Sequence, residues 1–344
     1  MPKRFTGFCL TENVLLMADR ETFAASDVTV IIPTIGREEV LLNTVRACLN
    51  EPQPPAEVIV VDQSASHEPE TQRQLEEWIR QGCVRVLKPT VASQPAAMNT
   101  GLLTANTRIL LFLDDDVEPT PGFIAAHAEA HTDPAVWVVV GQIIQPWQQP
   151  EDLPRQGPQE GLRADLEFPF HSIRGCVIQN AMSGHMSVRR DRCLQLGGFD
   201  ENFKGAAYRF DTEFGRRAVQ RGGTILFSPR TSLKHLRVAR GGTRLIGNHL
   251  ASADPIHGVG DYYFALRLAR GRERWGYIFT RMFREVRTRF HLKHPWYIPV
   301  KLLGEVRALA WALSLKHQGA QLVCSMRPVN STPSHNLKGK LDRG

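Results

Sequence analysis

The first half of the chain alternates short apolar runs with longer segments of helical periodicity. Four apolar, mostly β-branched runs predict buried strands at residues 28–32, 57–61, 84–87 and 109–113. Between them, apolar side chains recur every three or four positions and predict helices at residues 37–49, 71–80 and 96–104. This alternation predicts a mainly parallel sheet with helices on both faces.

Beyond residue 120 the predicted elements are fewer and less regular. Apolar spacing predicts helices at residues 121–131 and 211–221, and strands at residues 136–144 and 225–227. Residues 145–170 are rich in Pro, Gln and Gly and predict a long, mobile loop. Loops of this length in a compact domain often act as lids or specificity elements.

The C-terminal part carries two apolar stripes at helical spacing. They comprise Trp275, Phe279, Met282, Phe283, Val286 and Phe290, and then Pro299, Leu302, Leu303, Val306, Leu309, Ala310 and Leu313. Residues 266–301 also contain ten Lys or Arg and two Glu, a net charge of +8 in a chain whose formal total is +7. Three interpretations stay open: packing on the main domain, contact with an anionic membrane, or nucleic-acid binding. No nucleic-acid-binding motif accompanies the charge.

Composition is that of a globular chain, with 344 residues, 42% hydrophobic and 22% charged. The six cysteines are widely spaced and include no C-x-x-C pair, which is typical of free thiols in a reducing compartment. Residues 1–20 lack the apolar run of a signal peptide, and no run of about 18 apolar residues predicts a transmembrane helix. We therefore expect a cytoplasmic protein, with the inner face of the cell membrane as a second location if the C-terminal helices bind lipid.

The densest cluster of chemistry-bearing residues is Asp114, Asp115 and Asp116, directly after the apolar run 109–113. In an open α/β sheet, ligands bind beyond the carboxyl ends of the strands. Three adjacent carboxylates repel one another unless a cation lies between them, and their oxygens suit Mg²⁺ or Mn²⁺ together with substrate phosphates. The alternative is a solvated acidic turn, which the position after a buried strand disfavours.

Other polar residues have weaker signals. Pro33 and Thr34 end the first predicted strand, and Asp62 ends the second, where an aspartate can bind a nucleobase or ribose or simply cap a helix. His127 and His131 are four residues apart on a predicted helix, a spacing that can bind metal. Because the surrounding sequence is not a metalloprotease motif, we expect a surface pair.

Several segments, taken in order, resemble family 2 glycosyltransferases. Its nucleotide-binding half is matched at residues 30–37 (VIIPTIGR), 60–64 (VVDQS), 95–101 (PAAMNTG) and 112–117 (FLDDDV), the last corresponding to the DXD motif. Its acceptor half is matched at residues 184–190 (GHMSVRR), 197–201 (GGFDE) and 209–214 (RFDTEF). The resemblance covers residues 28–242. It implies a GT-A type α/β fold with a mixed, mainly parallel sheet flanked by helices, followed here by a helical C-terminal extension.

This resemblance also implies a division of the chain. The expected parts are a leader (residues 1–26), a catalytic domain (27–245, with halves 27–120 and 121–245), a basic amphipathic helical extension (246–326) and a disordered tail (327–344). The Gln-x-x-Arg-Trp motif of processive synthases is absent, because Gly271 stands where Gln would precede Arg274-Trp275. We therefore expect transfer of one sugar per acceptor.

Individual roles follow from the same resemblance. The donor-nucleotide pocket would be lined by Pro33, Thr34, Arg37, Asp62, Asn99, Asp114 and Asp115. Asp116 would bind Mg²⁺ or Mn²⁺, and His235 corresponds to a position where a histidine often completes the metal site. Asp211 matches the general base of the family, and His185 is a candidate contact for the acceptor.

These residue types suit an inverting transfer, which needs a carboxylate to accept the hydroxyl proton and a cation to stabilise the leaving diphosphate. Asp211 begins a predicted helix, whose dipole is expected to lower its pKa. Two positions depart from the family pattern. Gln63 replaces a second Asp, and Phe210 replaces a Glu before the catalytic Asp.

The sequence thus predicts an inverting, metal-assisted glycosyltransferase. The expected donor is a nucleoside diphosphate sugar, with UDP as the first choice, and the expected acceptor is a saccharide or lipid-linked hydroxyl in cell-envelope polysaccharide assembly. Peripheral membrane contact is a further expectation, and a nucleic-acid partner is not expected. Two alternatives remain: a sugar nucleotidyltransferase, whose Gly-rich loop after the first strand is missing, and a non-catalytic sugar-nucleotide- or membrane-binding relative, which Phe210 keeps open.

Overall fold

A computed structural model of the chain describes residues 21–242 and 248–323. The strands of its sheet are β1 (Val28–Thr34), β2 (Glu57–Asp62), β3 (Val84–Leu87), β4 (Ile109–Leu113), β5 (Val117–Pro119), β6 (Val136–Ile144), β7 (Cys176–Ile178), β8 (His185–Arg189) and β9 (Thr224–His235). The α-helices are α1 (Glu39–Leu49), α2 (Pro69–Gln81), α3 (Gln94–Thr104), α4 (Phe123–Ala130), α5 (Arg190–Gln195), α6 (Phe210–Gln220), α7 (Val259–Leu268), α8 (Gly271–Val286), α9 (Arg289–Lys293) and α10 (Tyr297–Gln318). The tail predicted to be disordered, 327–344, and most of the leader lie outside the described residues.

The strands form one mixed sheet in the order β3-β2-β1-β4-β8-β6-β9-β5, and β7 pairs with β9. Strands β3, β2, β1 and β4 are parallel to one another, and β6 is parallel to β9. Strand β8 runs antiparallel to both β4 and β6, and β5 and β7 run antiparallel to β9. The predicted α/β architecture is therefore confirmed, and β8 is the strand that joins the parallel first half to the second half.

The sheet has a hydrophobic core on each face. Along β1, Val30 and Ile32 point into one core and Ile31 into the other, as the two-residue period of a strand requires. The first core is closed by α1, α2 and α4, and the second by α3, α6 and the C-terminal helices. Both faces of the central strands are thus buried, which explains why their sequences are continuous apolar runs.

Two strands are longer than predicted. Strand β1 continues through Pro33 to Thr34, because its ladder with β4 ends at Ile31 and the missing N–H of Pro33 breaks no bond on that side. Strand β9 runs on to His235 rather than ending near residue 227, since β7 pairs with its first part and β5 with its last. The pairing of Val117 with His235 brings this histidine to the acidic turn.

Residues 145–170 form the predicted loop and contain no helix or regular strand. The loop is nevertheless attached at several points. Leu162, Ala164 and Phe168 are buried in the core, and Leu162 N–H donates to Glu273 Oε1 at 2.6 Å. The loop therefore covers the second face of the sheet with its own apolar side chains.

The C-terminal helices have their apolar stripes on the outside, and the first interpretation of those stripes as core is wrong for most of their residues. On α8, Trp275, Phe279 and Phe283 are exposed, whereas Arg281 is buried. On α10, the inward face includes Lys301 and Glu305, while the exposed positions include Leu302, Leu303, Val306 and Leu313. The buried polar groups are paired with each other, so helical spacing alone could not show which face points inward. Among the helices of the described residues, none has the length and hydropathy needed to cross a membrane.

Candidate active site

A cleft of about 720 Å³ opens at the carboxyl ends of β1 and β4, which is where the candidate residues were expected from the sequence. Its walls come from the end of β1, the acidic turn between β4 and β5, the turn before β8, and the segment that leads into α6. Of the predicted site residues, those that line it are Pro33, Thr34, Arg37, Asp114, Asp115, Asp116, Asp211 and His235. Residues far apart in sequence are thus brought to one edge of the sheet.

Arg37 organises the acidic turn. Its Nε donates to Asp115 Oδ1 at 3.1 Å, and its Nη2 donates to Asp116 Oδ2 at 3.0 Å. Its Nη1 donates to the carbonyl oxygens of Val238 and Arg240, so the buried guanidinium has partners on all sides. Arg37 therefore fixes the turn from one side, while Thr34 Oγ1 donates to Asp115 Oδ2 at 2.7 Å from another.

Asp114, Asp116 and His235 together could hold a divalent cation. Each offers one ligand atom, and the three atoms lie within 4.8 Å of one another. His235 Nε2 is 3.1 Å from Asp116 Oδ1 and 3.9 Å from Asp114 Oδ2. His235 Nδ1 donates to Gln145 Oε1 at 3.1 Å, which leaves Nε2 free as a ligand. Two carboxylates and one imidazole suit Mn²⁺, and less well Mg²⁺, which prefers oxygen ligands.

The cleft carries more negative than positive charge. Burial, with the neighbouring carboxylates adding to it, raises the pKa of Asp114 to about 6. Burial likewise raises the pKa of Asp115 to about 7, although Arg37 and Thr34 oppose the shift. Carboxylates that are this hard to ionise are destabilised as a group, and a bound cation would relieve that repulsion. The donor set and the charge therefore both fit a divalent metal.

Asp211 lies across the same cleft, in the first turn of α6. Its carboxylate accepts hydrogen bonds from the backbone N–H of Ser183 at 3.1 Å and of Thr212 at 2.8 Å. The expectation of a lowered pKa is wrong: burial raises the pKa of Asp211, and the two backbone donors and Arg209 only partly offset it. A carboxylate with a raised pKa is a better proton acceptor.

The turn at Ser183 and Gly184 links the two acidic groups. Ser183 N–H holds Asp211, and the Gly184 carbonyl accepts from Asp114 N–H at 3.1 Å. A Cβ at Gly184 would lie 2.3 Å from Asp114 Oδ2, so only glycine allows the carboxylate this close. In the sequence Gly184 is a motif residue, and nothing there indicates its close contact with Asp114. Gln145 could not be identified either, because nothing in the Gln-rich loop distinguishes that glutamine.

Two residues predicted for the nucleotide pocket, Asp62 and Asn99, are not among the residues that line the cleft. Asp62 is buried behind the cleft and accepts from Ser64 N–H, His67 and Lys88. Burial alone would raise the pKa of Asp62, but these three donors hold it below its ordinary value. Its neighbour Gln63 lines the cleft instead.

Asn99 is the second predicted nucleotide-pocket residue with partners inside the protein. Its amide donates to Phe199 O at 2.8 Å and accepts from Phe199 N–H at 2.8 Å, so it joins α3 to the loop before α6. Asn99 is not among the residues that line the cleft. An asparagine that satisfies both backbone groups of a buried residue is a packing element.

His185 does not reach the cleft either. Its side chain is fully buried against Gly141 and His127, and its Nδ1 lies 3.2 Å from Gln142 O. His127 and His131 are also fully buried and share Ser187 Oγ, so the predicted surface pair is wrong. Burial lowers the pKa of His131 and of His185 to about 3, so both are neutral. Strand pairing of β8 with β4 and β6 turns His185 and Ser187 inward.

Comparison with known proteins adds to this geometry. The sequence model described as "Glycosyl transferase family 2" matches residues 29–211, from β1 to the first turn of α6. The O-antigen biosynthesis protein RfbC of Myxococcus xanthus is 24% identical over 222 residues, which are 60% of this chain and 17% of that protein. The pre-mycofactocin glycosyltransferase of Mycobacterium tuberculosis is 28% identical over 218 residues, 61% of this chain and 42% of that protein. The chain thus spans less than half the length of these curated relatives.

Solved structures show the same fold at low identity. The mannosyltransferase PcManGT from Pyrobaculum calidifontis, in complex with GDP-Man and Mn²⁺, has a TM-score of 0.50 at 18% identity, covering 89% of this chain and 84% of that one. GalNAc-T7 with UDP, GalNAc and Mn²⁺ has a TM-score of 0.51 at 18% identity, covering 72% and 51%. S. aureus TarS 1-349 has a TM-score of 0.53 at 13% identity, covering 85% and 88%. With the family model matching more than half of its length, the chain belongs to glycosyl transferase family 2 and is a glycosyltransferase of the GT-A fold.

Proposed function

We propose that this glycosyltransferase transfers its sugar with inversion of the anomeric configuration. A divalent cation would help to bind the nucleoside diphosphate sugar, and Asp211 would act as the general base. One observation carries the proposal. Asp114, Asp116 and His235 offer three ligand atoms within 4.8 Å of one another on a cleft that Asp211 also lines. A metal-binding group and a candidate base on one cleft are the two parts that an inverting transfer requires.

The donor would lie along the carboxyl ends of the strands, with its diphosphate at Asp114, Asp116 and His235. The cation supplies charge neutralisation to the departing diphosphate when it is bound. Gln145 accepts from His235 Nδ1, so His235 Nε2 would be the ligand atom for the cation, and Arg37 holds Asp116 in place. Because one ligand is an imidazole, Mn²⁺ is the proposed ion.

The acceptor hydroxyl would lie between Asp211 and the anomeric carbon. Its proton passes to the Asp211 carboxylate as its oxygen forms the new bond, and the bond to the diphosphate breaks on the opposite face of the sugar, which gives inversion. The N–H groups of Ser183 and Thr212 hold the carboxylate in one orientation for this step. Phe210, in place of a Glu, is buried in the core and leaves Asp211 as the carboxylate of this pair.

The donor and acceptor classes are proposed more coarsely. UDP and GDP-mannose accompany the similar structures of GalNAc-T7 and PcManGT, and we propose a UDP sugar as the first donor to test. The named relatives act in O-antigen biosynthesis and as a pre-mycofactocin glycosyltransferase, which supports a saccharide or other hydroxyl acceptor. The family assignment favours this function over a sugar nucleotidyltransferase.

Turnover of a panel of UDP and GDP sugars with saccharide and lipid-linked acceptors tests the proposal. The product anomer is identified by NMR, and we expect the configuration opposite to that of the donor. Asp211→Asn should lower kcat by about 10²–10⁴-fold, the usual contribution of a general base, with donor binding unchanged. Asp191→Asn is the control, since that aspartate is an exposed acid in the first turn of another helix.

Retention of the donor anomer would contradict the inverting mechanism, and an Asp211→Asn enzyme with full kcat would contradict the base. Metal-dependent nucleotide binding without turnover of any donor would favour a non-catalytic sugar-nucleotide-binding relative.

We also propose that the exposed face of α8 to α10 docks on an anionic lipid surface. Phe279 is 64% exposed, Phe283 59% and Trp296 63%, and the side chains of Trp275 and Phe279 adjoin at 6.1 Å between ring centroids. Exposed arginines flank this stripe, and Arg287 lies over the Phe283 ring at 4.9 Å. Aromatic side chains with basic neighbours are complementary to a membrane interface that carries negative charge.

Co-sedimentation with phosphatidylcholine vesicles, with and without phosphatidylglycerol, tests the lipid contact. We expect binding that needs phosphatidylglycerol and falls at least tenfold in a Phe279→Ser, Phe283→Ser variant, because two large apolar side chains are lost. Val91→Ser removes an exposed apolar side chain elsewhere and should change nothing. Equal binding of the double variant, or a dimer that the double variant dissociates, would contradict the lipid proposal.

A further inference from the structure

Residues 256–261, near the start of the C-terminal helices, pack against the wall of the cleft next to Asp211. A Cβ at Gly205 would lie 2.1 Å from Ile256 Cγ1, and a Cβ at Gly260 would lie 2.4 Å from the carbonyl oxygen of Tyr208. Two glycines, one on each side of the contact, thus allow the two segments to approach at backbone distance. The cleft wall from Gly205 to Arg209 therefore takes its position from residues 256–261.

Arg209 is the residue through which this contact reaches the base. It is the N-cap of α6, two residues before Asp211, and its backbone has φ +75°, in the left-handed region. A non-glycine residue keeps such a conformation only where its surroundings impose it. Its partly buried guanidinium lies 3.3 Å from Asp261 Oδ1, measured from Nε, and Asp261 is fully buried on α7.

Asp261 is itself fixed by α8. Tyr277 Oη donates to Asp261 Oδ1 at 2.5 Å, the same oxygen that faces Arg209, and Arg281 pairs with Oδ2. Arg281 Nε in turn lies 3.2 Å from Glu305 Oε2 on α10. Three C-terminal helices therefore hold one carboxylate, and that carboxylate faces the residue that begins α6.

We infer that Asp261 is a positioning residue for sugar transfer, acting through Arg209 to hold Asp211 at the acceptor side of the cleft. This inference rests on the proposed role of Asp211 as the base. The C-terminal helices then contribute to the reaction although none of their charged residues lines the cleft near Asp211.

Loss of Asp261 has two physical consequences at Asp211. The N-cap conformation of Arg209 loses the ion pair that helps to impose it, so the first turn of α6 is free to shift. The Arg209 guanidinium also loses Asp261, its carboxylate partner. Because the charges of Arg209 and Asp211 already act on each other, this loss also changes the surroundings of Asp211. A shift of about 1 Å at a reacting group can reduce a rate on the order of 10²-fold.

A double-mutant cycle on kcat, with Asp261→Asn and Arg209→Gln in the full chain, tests the inference. We expect each single variant to lower kcat between tenfold and 10²-fold with the donor KM within twofold of wild type. We expect the double variant to equal the worse single variant, because both changes break one path. Glu285→Gln is the matched control: Glu285 pairs with Lys301 at 3.3 Å and lies 3.7 Å from Arg281 in the same cluster, but it makes no ion pair with Asp261 or Arg209.

Two single effects on kcat that multiply in the double variant would show that Asp261 and Arg209 act independently, and this result would overturn the inference. If Asp261→Asn does not fold, Tyr277→Phe replaces it in the test, because this change removes one hydrogen bond from Asp261. An unchanged kcat in Tyr277→Phe would then overturn the inference. Asp211→Asn with wild-type kcat would instead defeat the proposed base. If Asp211→Asn is inactive and the cycle is additive, only the inference about Asp261 fails, and the proposed role of Asp211 as the base stands.

Discussion

Two clusters of acidic side chains in this molecule differ in charge balance. The cleft cluster contains Asp114, Asp115, Asp116 and Asp211, with Arg37 paired to Asp115 and Asp116 and with Arg209 also lining the cleft. The cluster between the C-terminal helices contains Asp261, Glu285 and Glu305 among Arg209, Arg281 and Lys301. The first has a surplus of negative charge at a cleft, and the second pairs each acid with a base inside the fold.

The difference is visible in the titration of most of these acids, although His235 and Arg37 overcome burial and hold the pKa of Asp116 below its ordinary value. Burial raises the pKa of Asp114 to about 6 and of Asp115 to about 7. Burial would also raise the pKa of Asp261 and of Glu305, but Arg281 and further partners hold both below their ordinary values. A charge surplus facing a cleft is therefore what the proposed ligand site requires, and a balanced buried set is what a structural role requires.

Arg281→Met should have the largest effect of the changes that probe this comparison. It leaves Asp261 and Glu305 buried without their shared partner, and breaking a buried pair in this way costs about 3–5 kcal/mol. Chemical denaturation should show that loss in the free energy of unfolding. Arg272→Met, on the exposed side of the same helix, is the control and should leave the free energy of unfolding nearly unchanged. Equal stability of the two variants would show that the C-terminal cluster is not structural.

Asp114→Asn should give the opposite result, with activity lost and stability kept. Removal of one carboxylate from a surplus relieves repulsion, so the free energy of unfolding without metal should stay the same or rise. Transfer activity should fall about 10²–10³-fold, as expected for a lost charge contact at the reacting groups. Glu118→Gln changes an exposed acid on β5 and should affect neither quantity. A clear loss of stability in Asp114→Asn would contradict the assignment of the cleft cluster as a ligand site.

A smaller effect concerns a third buried set, the neutral histidines beside β8. His131 has a pKa of about 3 in the fold and about 6.5 when unfolded, so between these values only the unfolded chain binds the proton. Stability is therefore present above pH about 6.5 and falls as pH drops below it, by roughly 1.4 kcal/mol per pH unit for this histidine. His131→Gln should weaken that slope in denaturation measured from pH 7 to 5, and the exposed His249→Gln should not. An unchanged slope would mean that His131 is protonated in the folded protein.

Local sequence was sufficient for the part of the site carried by single strands and turns. Asp114 to Asp116 follow β4, Thr34 ends β1, and Arg37 follows it. Because β1 and β4 are parallel, their carboxyl ends lie at the same edge of the sheet, which places these residues together. The fold class was predictable for the same reason, since its central strands are buried on both faces and read as apolar runs.

Long-range pairing decided the rest. His185 lies next to a motif glycine, yet strand alternation on β8 turns it into the core, and Asn99 binds a loop about a hundred residues away. The inward faces of α8 and α10 carry Arg281, Lys301 and Glu305, which are stable there only because they meet one another. No periodicity in one helix can show a partner on another, so of the open interpretations of the hydrophobic stripes, packing on the main domain named the wrong inward face for most of their residues.

Calorimetric binding of UDP and GDP, with and without Mn²⁺, to the wild type and to Asp116→Asn tests the central claim most directly. Asp116 shares the three-residue ligand group with Asp114 and His235. We predict that one of the two nucleotides binds the wild type only when Mn²⁺ is present, and that Asp116→Asn abolishes this metal-dependent binding while the variant stays folded. Nucleotide binding that is equal with and without Mn²⁺, or equal in Asp116→Asn, would contradict a donor site built on the acidic turn.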